Sequence, residues 1–167
     1  MVIFLQGIDE FNMGWIFTAE ARINLLTLNF RRLSTLPSID KKRNFNNEGT
    51  PRFALLKKLD KTIALYTSIA RGFSAPTTAE VLPSTNIFND QLQAESGLDY
   101  AFGLRGSALK LIFYLDINAF FYHLKNAIVQ RRAAASADYF ENAGAARQNG
   151  LATFLSYKII DTQHLFF

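Results

Sequence analysis

The sequence predicts an all-β chain: a partial antiparallel transmembrane β-barrel of about seven to eight long meander strands. Three observations carry that expectation. Hydrophobicity alternates with a period of two over long stretches, the pattern of a strand with two different faces. The stretches are long: "LKLIFYLDINAFFYHLK", Leu109 to Lys125, runs for about 17 residues against about 5–6 in an ordinary globular strand. The connections alternate, with short turns at one end and long polar loops at the other.

Taken in chain order, Val2–Glu10 is a short apolar candidate strand, followed by a tight turn near Phe11–Gly14. Trp15 to Leu28 puts Trp15, Phe17, Ala19, Ala21, Ile23 and Leu25 on one face and Thr18, Glu20, Arg22 and Asn24 on the other. A long loop is expected over Arg31–Thr50, where Pro, Asn, Ser, Thr and charge accumulate. Arg52–Lys58 and Thr62–Arg71 read as strands joined by a turn at Leu59–Lys61. Gly72 and Pro76 are expected to end the second of these, and Phe73–Gln93 forms a second long loop. Leu98–Gly106 sets Tyr100, Phe102 and Leu104 against Asp99, Ala101, Gly103 and Arg105, and a turn is expected at Ser107–Ala108. In Leu109–Lys125 one face reads Leu109, Leu111, Phe113, Leu115, Ile117, Ala119, Phe121; the other mixes Lys110, Tyr114, Asp116 and Asn118 with aromatics. A third long loop covers Ile128–Ala137, and Tyr139–Asn149 leads into the last strand, Leu151–Ile159. Asn142-Ala-Gly144 marks a bend or bulge.

The charges agree with this two-faced reading. Glu20, Arg22, Asp99, Arg105, Lys110 and Asp116 all fall on the face opposite the apolar one, where a water-filled or plugged lumen tolerates them. Trp15 and Tyr157 point outward near the short-turn end, and Tyr100 and Phe121 point outward toward the other, as two interfacial aromatic girdles would. Strands favour aromatics in any case, which is the plainer explanation.

Composition narrows the function classes. The chain of 167 residues has no cysteine, so disulfides and Cys-ligated metals are excluded. Its net charge of +4 is spread along the chain, without the basic stripe that nucleic-acid binding uses. No run of about 18 apolar residues exists for a transmembrane helix. "MVIFLQGIDE" lacks a basic n-region and a cleavage site, so it is not a signal peptide, and the targeting signal is absent from this chain. No phosphate-binding glycine loop or nucleophile elbow occurs, and no cofactor is expected.

Four blocks together resemble TonB-dependent outer-membrane receptors: "LYTSIARGFSAPTTAEVLPS", "LQAESGLDYAFGLRG", "LDINAFFYHLKNAIVQRR" and "ADYFENAGAARQNGLATFLSY". Their order and spacing follow the family from about residue 50 to 160, and "LQGIDEF" and "FTAEARINL" extend the likeness more loosely over residues 1–49. The resemblance implies part of a single-chain barrel of about 22 strands, plugged by an N-terminal globular domain. It implies import of a scarce ligand, a ferric siderophore or other iron complex, energised by the TonB complex. The chain departs from the family in three respects. No plug domain or TonB-contacting segment is recognisable, Ala152 stands where the family often has Glu, and the tail 161–167, "DTQHLFF", matches poorly. Residues 1–160 therefore read as a barrel segment of the bacterial outer membrane, in contact with its lipid and unable to transport alone. TonB would be reached only through a plug absent here.

The resemblance marks Arg71, Gly72, Phe73, Pro76, Thr77 and Glu80 as a structural rim motif. Thr77-x-x-Glu80 matches a capping box and Pro76 is preset for a helix start, so a short helical turn is expected. Arg71, Phe73, Lys125, Arg131 and Arg132 are candidates to face an anionic ligand, against the plainer reading of solvated loop residues. His123 and His164 lack metal-ligand spacing, so no metal site is expected. His123 falls on the apolar face near the loop end. An outer-membrane phospholipase would place a Ser beside such a His, which leaves a barrel enzyme as an alternative. A soluble β-rich binding domain is the other. Neither catalysis nor a nucleic-acid partner is expected.

Overall fold

Alternating side chains bury only one face of a strand, so each strand must pair with neighbours carrying the same phase. The computed structural model satisfies this with one long meander, and it describes residues 1–32, 39–83, 88–108, 112–132, 138–160 and 163–166. The strands are β1 (Val2–Phe11), β2 (Trp15–Arg32), β3 (Ile39–Lys58), β4 (Ile63–Ser74), β5 (Glu95–Ala108), β6 (Phe113–Lys125), β7 (Ile128–Arg132), β8 (Asp138–Asn142), β9 (Ala145–Ile160) and β10 (Gln163–Phe166). A single helical turn, α1 (Thr78–Val81), lies between β4 and β5. The order β1-β2-β3-β4-β5-β6-β9-β10 makes an eight-stranded antiparallel sheet, with β7 and β8 a separate two-stranded one. β1 and β10 stand at its two edges and do not pair with each other. The expectation of a long-stranded antiparallel meander is met.

The register holds the faces in phase. Phe17 stands opposite Leu55, Leu55 opposite Thr67, Thr67 opposite Phe102, and Phe102 opposite Ala119. The next row runs Phe53, Ile69, Tyr100, Phe121. This face is exposed apolar surface and no protein core: Phe102 is 58%, Phe121 60% and Leu151 69% accessible. Thr67, the polar member of its row, is satisfied locally, its hydroxyl donating to the Ala101 carbonyl at 3.0 Å. The expected aromatic positions are all exposed, and Tyr100 and Phe121 form a direct cross-strand pair.

Four boundaries differ from the sequence reading. Much of Arg31–Thr50 is strand and not loop: β2 reaches Arg32 and β3 begins at Ile39, with 18 and 20 residues, roughly 60 Å of extended chain each, and residues 33–38 lie outside the described residues. The polar composition hid a paired hairpin, in which Thr27 donates to Asn44 at 3.0 Å and Arg31 meets Asp40 at 3.5 Å. Ser107 and Ala108, expected to form a turn, are still part of β5. Ala108 still pairs with Phe113, and β6 starts there. Leu109, Lys110 and Leu111 lie outside the described residues. Gly72 does not end β4, which stays paired through Ser74. The loop expected at Ile128–Ala137 contains β7, paired with β8, so Tyr139–Asn142 belongs to that hairpin and not to the approach of the last strand. The bend at Asn142-Ala-Gly144 follows, and Gly144 takes φ 108°, a conformation that favours glycine.

The short turns at Asn12–Gly14 and Leu59–Thr62 share one end of the sheet, and the connections β4–β5 and β6–β9 share the other. In the second turn Asp60 accepts from the Thr62 backbone at 2.6 Å, the Thr62 hydroxyl at 2.8 Å and the Ile63 N–H at 2.8 Å. The Thr62 backbone bond, first among these, holds the Asp60 carboxyl below the ordinary carboxylate range.

Candidate functional site

The long-loop end carries a folded unit that begins at the strand-to-helix motif. Pro76 is buried and presets the chain before Thr77. Thr77 is the N-cap of α1: its hydroxyl accepts from the Glu80 N–H at 3.4 Å, and the Glu80 carboxylate accepts from the Thr77 N–H at 2.6 Å. One turn this short is not stable alone. Val81 in this turn and Leu92 in the loop after it are 0% and 1% exposed, the only fully buried large side chains among the described residues, and the Asn89 N–H donates to the Val81 carbonyl at 2.8 Å.

Asn142 ties this loop to the β7–β8 hairpin. Its carbonyl accepts from the Gln93 N–H at 2.7 Å, and its amide donates to the Gln93 carbonyl at 3.0 Å and the Asn126 carbonyl at 2.7 Å. Asn89 donates to the Phe140 carbonyl at 2.8 Å, and Glu95 accepts from the Ile128 N–H at 2.8 Å. The two connections therefore form one hydrogen-bonded cap. Sequence reasoning saw Asn142 only as a bend, because its partners lie 16 and 49 residues away. Asn142→Ala removes three bonds and leaves backbone groups unpaired, an expected loss of about 1–3 kcal/mol of local stability. Amide hydrogen exchange at Gln93 checks it: protection falls in the variant while the β5–β6 ladder keeps its own.

The residues read as ligand-facing do not converge. Arg71 bonds Glu48 at 2.8 Å and the Gly49 carbonyl at 3.4 Å. The β3–β4 ladder stops at Arg52–Ala70, next to Pro51, which has no N–H to give, and the Arg71 guanidinium reaches β3 beyond that point. Arg71 and Phe73 share a hollow of about 420 Å³ with Arg22, Asn24 and Thr50. Arg131 and Arg132 are ion-paired on the hairpin, to Glu141 at 2.8 Å and Asp138 at 3.2 Å. Lys125 ends β6 opposite Ser96, with no ion-pair partner among the described residues. Gly72 lies opposite Gly97 in the ladder.

The polar face is a set of paired charges and stacked rings. Glu20 meets Arg52 at 2.7 Å. Asp116 accepts from the Tyr66 hydroxyl at 2.7 Å and the Tyr114 hydroxyl at 3.4 Å, with Arg105 Nε at 3.6 Å. The Arg105 guanidinium also lies 4.4 Å over the Tyr66 ring. Gly97, Gly103 and Gly150 each lie under an aromatic ring of the adjoining strand, Tyr122, Tyr66 and Phe120, where any Cβ would overlap the ring. Among the described residues no three His or carboxylate groups are placed to hold a metal.

His123 stands opposite Leu98 and Arg147. The nearest serine in the ladder is Ser96, opposite Lys125 and so diagonal to His123 on the same face. No hydrogen bond joins the two side chains, so the nucleophile–base contact of a serine hydrolase is not assembled. No helix among the described residues is long and apolar enough to cross a membrane.

Comparison with known proteins bears on both fold and family. No curated protein matches the chain by sequence. Among solved structures, the siderophore receptor PirA from Pseudomonas aeruginosa superposes with a TM-score of 0.73 at 19% identity, over 99% of this chain and 30% of that one. The copper transporter OprC gives 0.79 at 15% identity, over 96% and 26%. A mutant of the ferric enterobactin receptor PfeA from Pseudomonas aeruginosa, in complex with enterobactin, gives 0.67 at 18% identity, over 99% and 26%. The chain thus spans about a third or less of the length of each of these structures. Residues 3–160 match the family described as "TonB dependent receptor-like, beta-barrel". With nearly the whole chain matched and the long antiparallel meander in place, the chain belongs to the TonB-dependent receptor β-barrel family.

Proposed function

We propose that residues 1–160 form part of the wall of an outer-membrane barrel that imports a scarce ligand, an iron complex such as a ferric siderophore. The apolar face meets lipid, and the face bearing Glu20, Arg52, Arg105 and Asp116 lines the lumen. The observation that carries this reading is that the ion pairs Glu20–Arg52 and Arg105–Asp116, in the middle of the strands, lie on the face opposite the apolar one in a sheet belonging to the receptor family. The strand-to-helix motif Arg71–Glu80 is a structural element of the outer rim, and the cap tied by Asn142 is an extracellular surface. The plug and its contact with the TonB complex are not built from these residues, and the tail 161–167 lies beyond the family segment. The wall acts by shape, charge and loops and carries out no bond chemistry.

Uptake of radioactive iron–siderophore by receptor-less bacteria tests the proposal. The chain alone is expected to give none. A PirA barrel carrying residues 3–160 in place of its matching strands is expected to give uptake that stops when the membrane is de-energised. Energy-dependent uptake by the chain alone would overturn the wall-segment reading. A folded, surface-exposed chimera that takes up no iron complex would overturn the ligand class.

A further inference from the structure

We propose that the free edge of β3, in the outer part of the β2–β3 hairpin, binds an extended acidic polypeptide segment that adds to the hairpin as a third strand. The site is independent of the ligand that the barrel imports. β2 and β3 pair as far as Arg32 and Ile39, whereas β4 leaves β3 after the pair Arg52–Ala70. From Ile39 to Pro51, β3 therefore has a described strand on one side only. β1 reaches β2 no further than Asn24 in the ladder. Beyond this level the hairpin is a two-stranded ribbon, an arrangement that is marginal in water without a third strand. At its base Pro51 has no N–H, and the Arg71 guanidinium donates to the Gly49 carbonyl at 3.4 Å. The edge open to a partner is Ile39–Glu48, roughly 30 Å of strand. A row of free backbone N–H and C=O groups recognises another backbone, which a small anion or a metal chelate does not supply.

The charges on this edge select the partner. The sequence runs Ile39-Asp-Lys-Lys-Arg43. Its acids are already engaged: Asp40 meets Arg31 at 3.5 Å and Glu48 meets Arg71 at 2.8 Å. Lys41 and Lys42 are exposed, stand opposite Phe30 and Asn29, and have no ion-pair partner among the described residues. The other edge of the ribbon, Leu26–Asn29, carries no charge. Lysines on an exposed edge keep like strands apart, and a second copy of this hairpin would set lysine against lysine. The same lysines attract a strand that carries Asp or Glu. At the foot of the edge lies the hollow of about 420 Å³, lined by Thr50 of β3 and by Arg71, Gly72 and Phe73 just past the last β3–β4 pair. Arg22 also lines it and has no carboxylate partner among the described residues. An acidic side chain at the end of the added strand enters there.

The full chain, folded in maltoside micelles, is mixed with a fluorescent peptide of Glu-Thr repeats, about ten residues long to match the edge. Anisotropy follows binding, and amide hydrogen exchange of β3 is read in the same samples. The peptide is expected to bind about ten-fold more tightly than Lys-Thr repeats of equal length, and to weaken as salt is raised. Glu-Pro repeats keep the charge but lack half the N–H groups and cannot lie in a sheet, so they are expected to bind about ten-fold more weakly. Bound Glu-Thr peptide is expected to slow the exchange of alternate amides between Ile39 and Glu48 and to leave the β5–β6 ladder unchanged. Lys41→Glu with Lys42→Glu is expected to reverse the preference between the acidic and the basic peptide. Lys41→Gln with Lys42→Gln, which adds no new charge, is expected to remove most of it. Failure of the Glu-Thr peptide to bind, or binding no tighter than that of Lys-Thr, overturns the site. Glu-Pro binding as tight as Glu-Thr, or unchanged exchange in β3, means attraction by charge alone and overturns the added strand. A preference for the acidic peptide that survives both double variants overturns the assignment to this edge.

Discussion

Phe102→Arg is expected to cost about 2–4 kcal/mol of folding stability in a bilayer, whereas Ser68→Arg on the neighbouring strand is expected to cost about 1 kcal/mol or less. Phe102 lies mid-way along the apolar stretch of β5, 58% exposed, between Thr67 and Ala119. If lipid covers that face, a guanidinium there must lose its water. Ser68 stands opposite Ala54 and Ala101, on the polar face, where the same cation stays hydrated. Urea titration of the chain in vesicles, followed by the mobility shift of folded protein on gels, measures both. The contrast between two adjoining sites separates a membrane effect from a general intolerance of arginine.

Gly103→Leu is expected to be the second large loss, about 1–3 kcal/mol from overpacking, with the hydrogen bond of Tyr66 lost in addition. The Tyr66 ring lies over Gly103, and the same ring donates its hydroxyl to Asp116 and carries the Arg105 guanidinium. A leucine side chain displaces the ring, and Asp116 and Arg105 must then find other partners. Gly106→Ala, three residues along the same strand, has only ordinary contacts at Ile63 and Thr62 and is expected to be close to neutral. The same titration checks this pair, and near-ultraviolet circular dichroism reports whether Tyr66 has left its packed position.

What was legible in the sequence follows from how local the physics is. The phase of each strand could be read because the two faces meet different surroundings, and each residue records its own. The capping box could be read because Thr77 and Glu80 are three residues apart and bond each other. The extension of β2 and β3 was hidden, since beyond the apolar band both faces become polar and a paired hairpin has the composition of a loop. The partners of the cations were hidden too. Arg71 meets Glu48 and Arg131 meets Glu141 only after the register is set, so the sequence shows these charges without their partners. Asn142 shows the same limit, since an asparagine before Ala-Gly reads as a bend, and its bonds to Gln93 appear only once two loops are brought together.

The chain has no cysteine, which permits single cysteines to be placed and spin-labelled one at a time along β6. Accessibility of each label to oxygen, which concentrates in lipid, and to a water-soluble nickel chelate tests the central claim most directly. Labels at Leu115, Ile117, Ala119 and Phe121 are expected to meet oxygen, those at Asp116, Asn118, Phe120 and Tyr122 to be shielded from it, with a clean period of two. A profile without that alternation, or one in which the even positions take the oxygen and the odd ones are enclosed, would contradict the assignment of this sheet to a membrane wall.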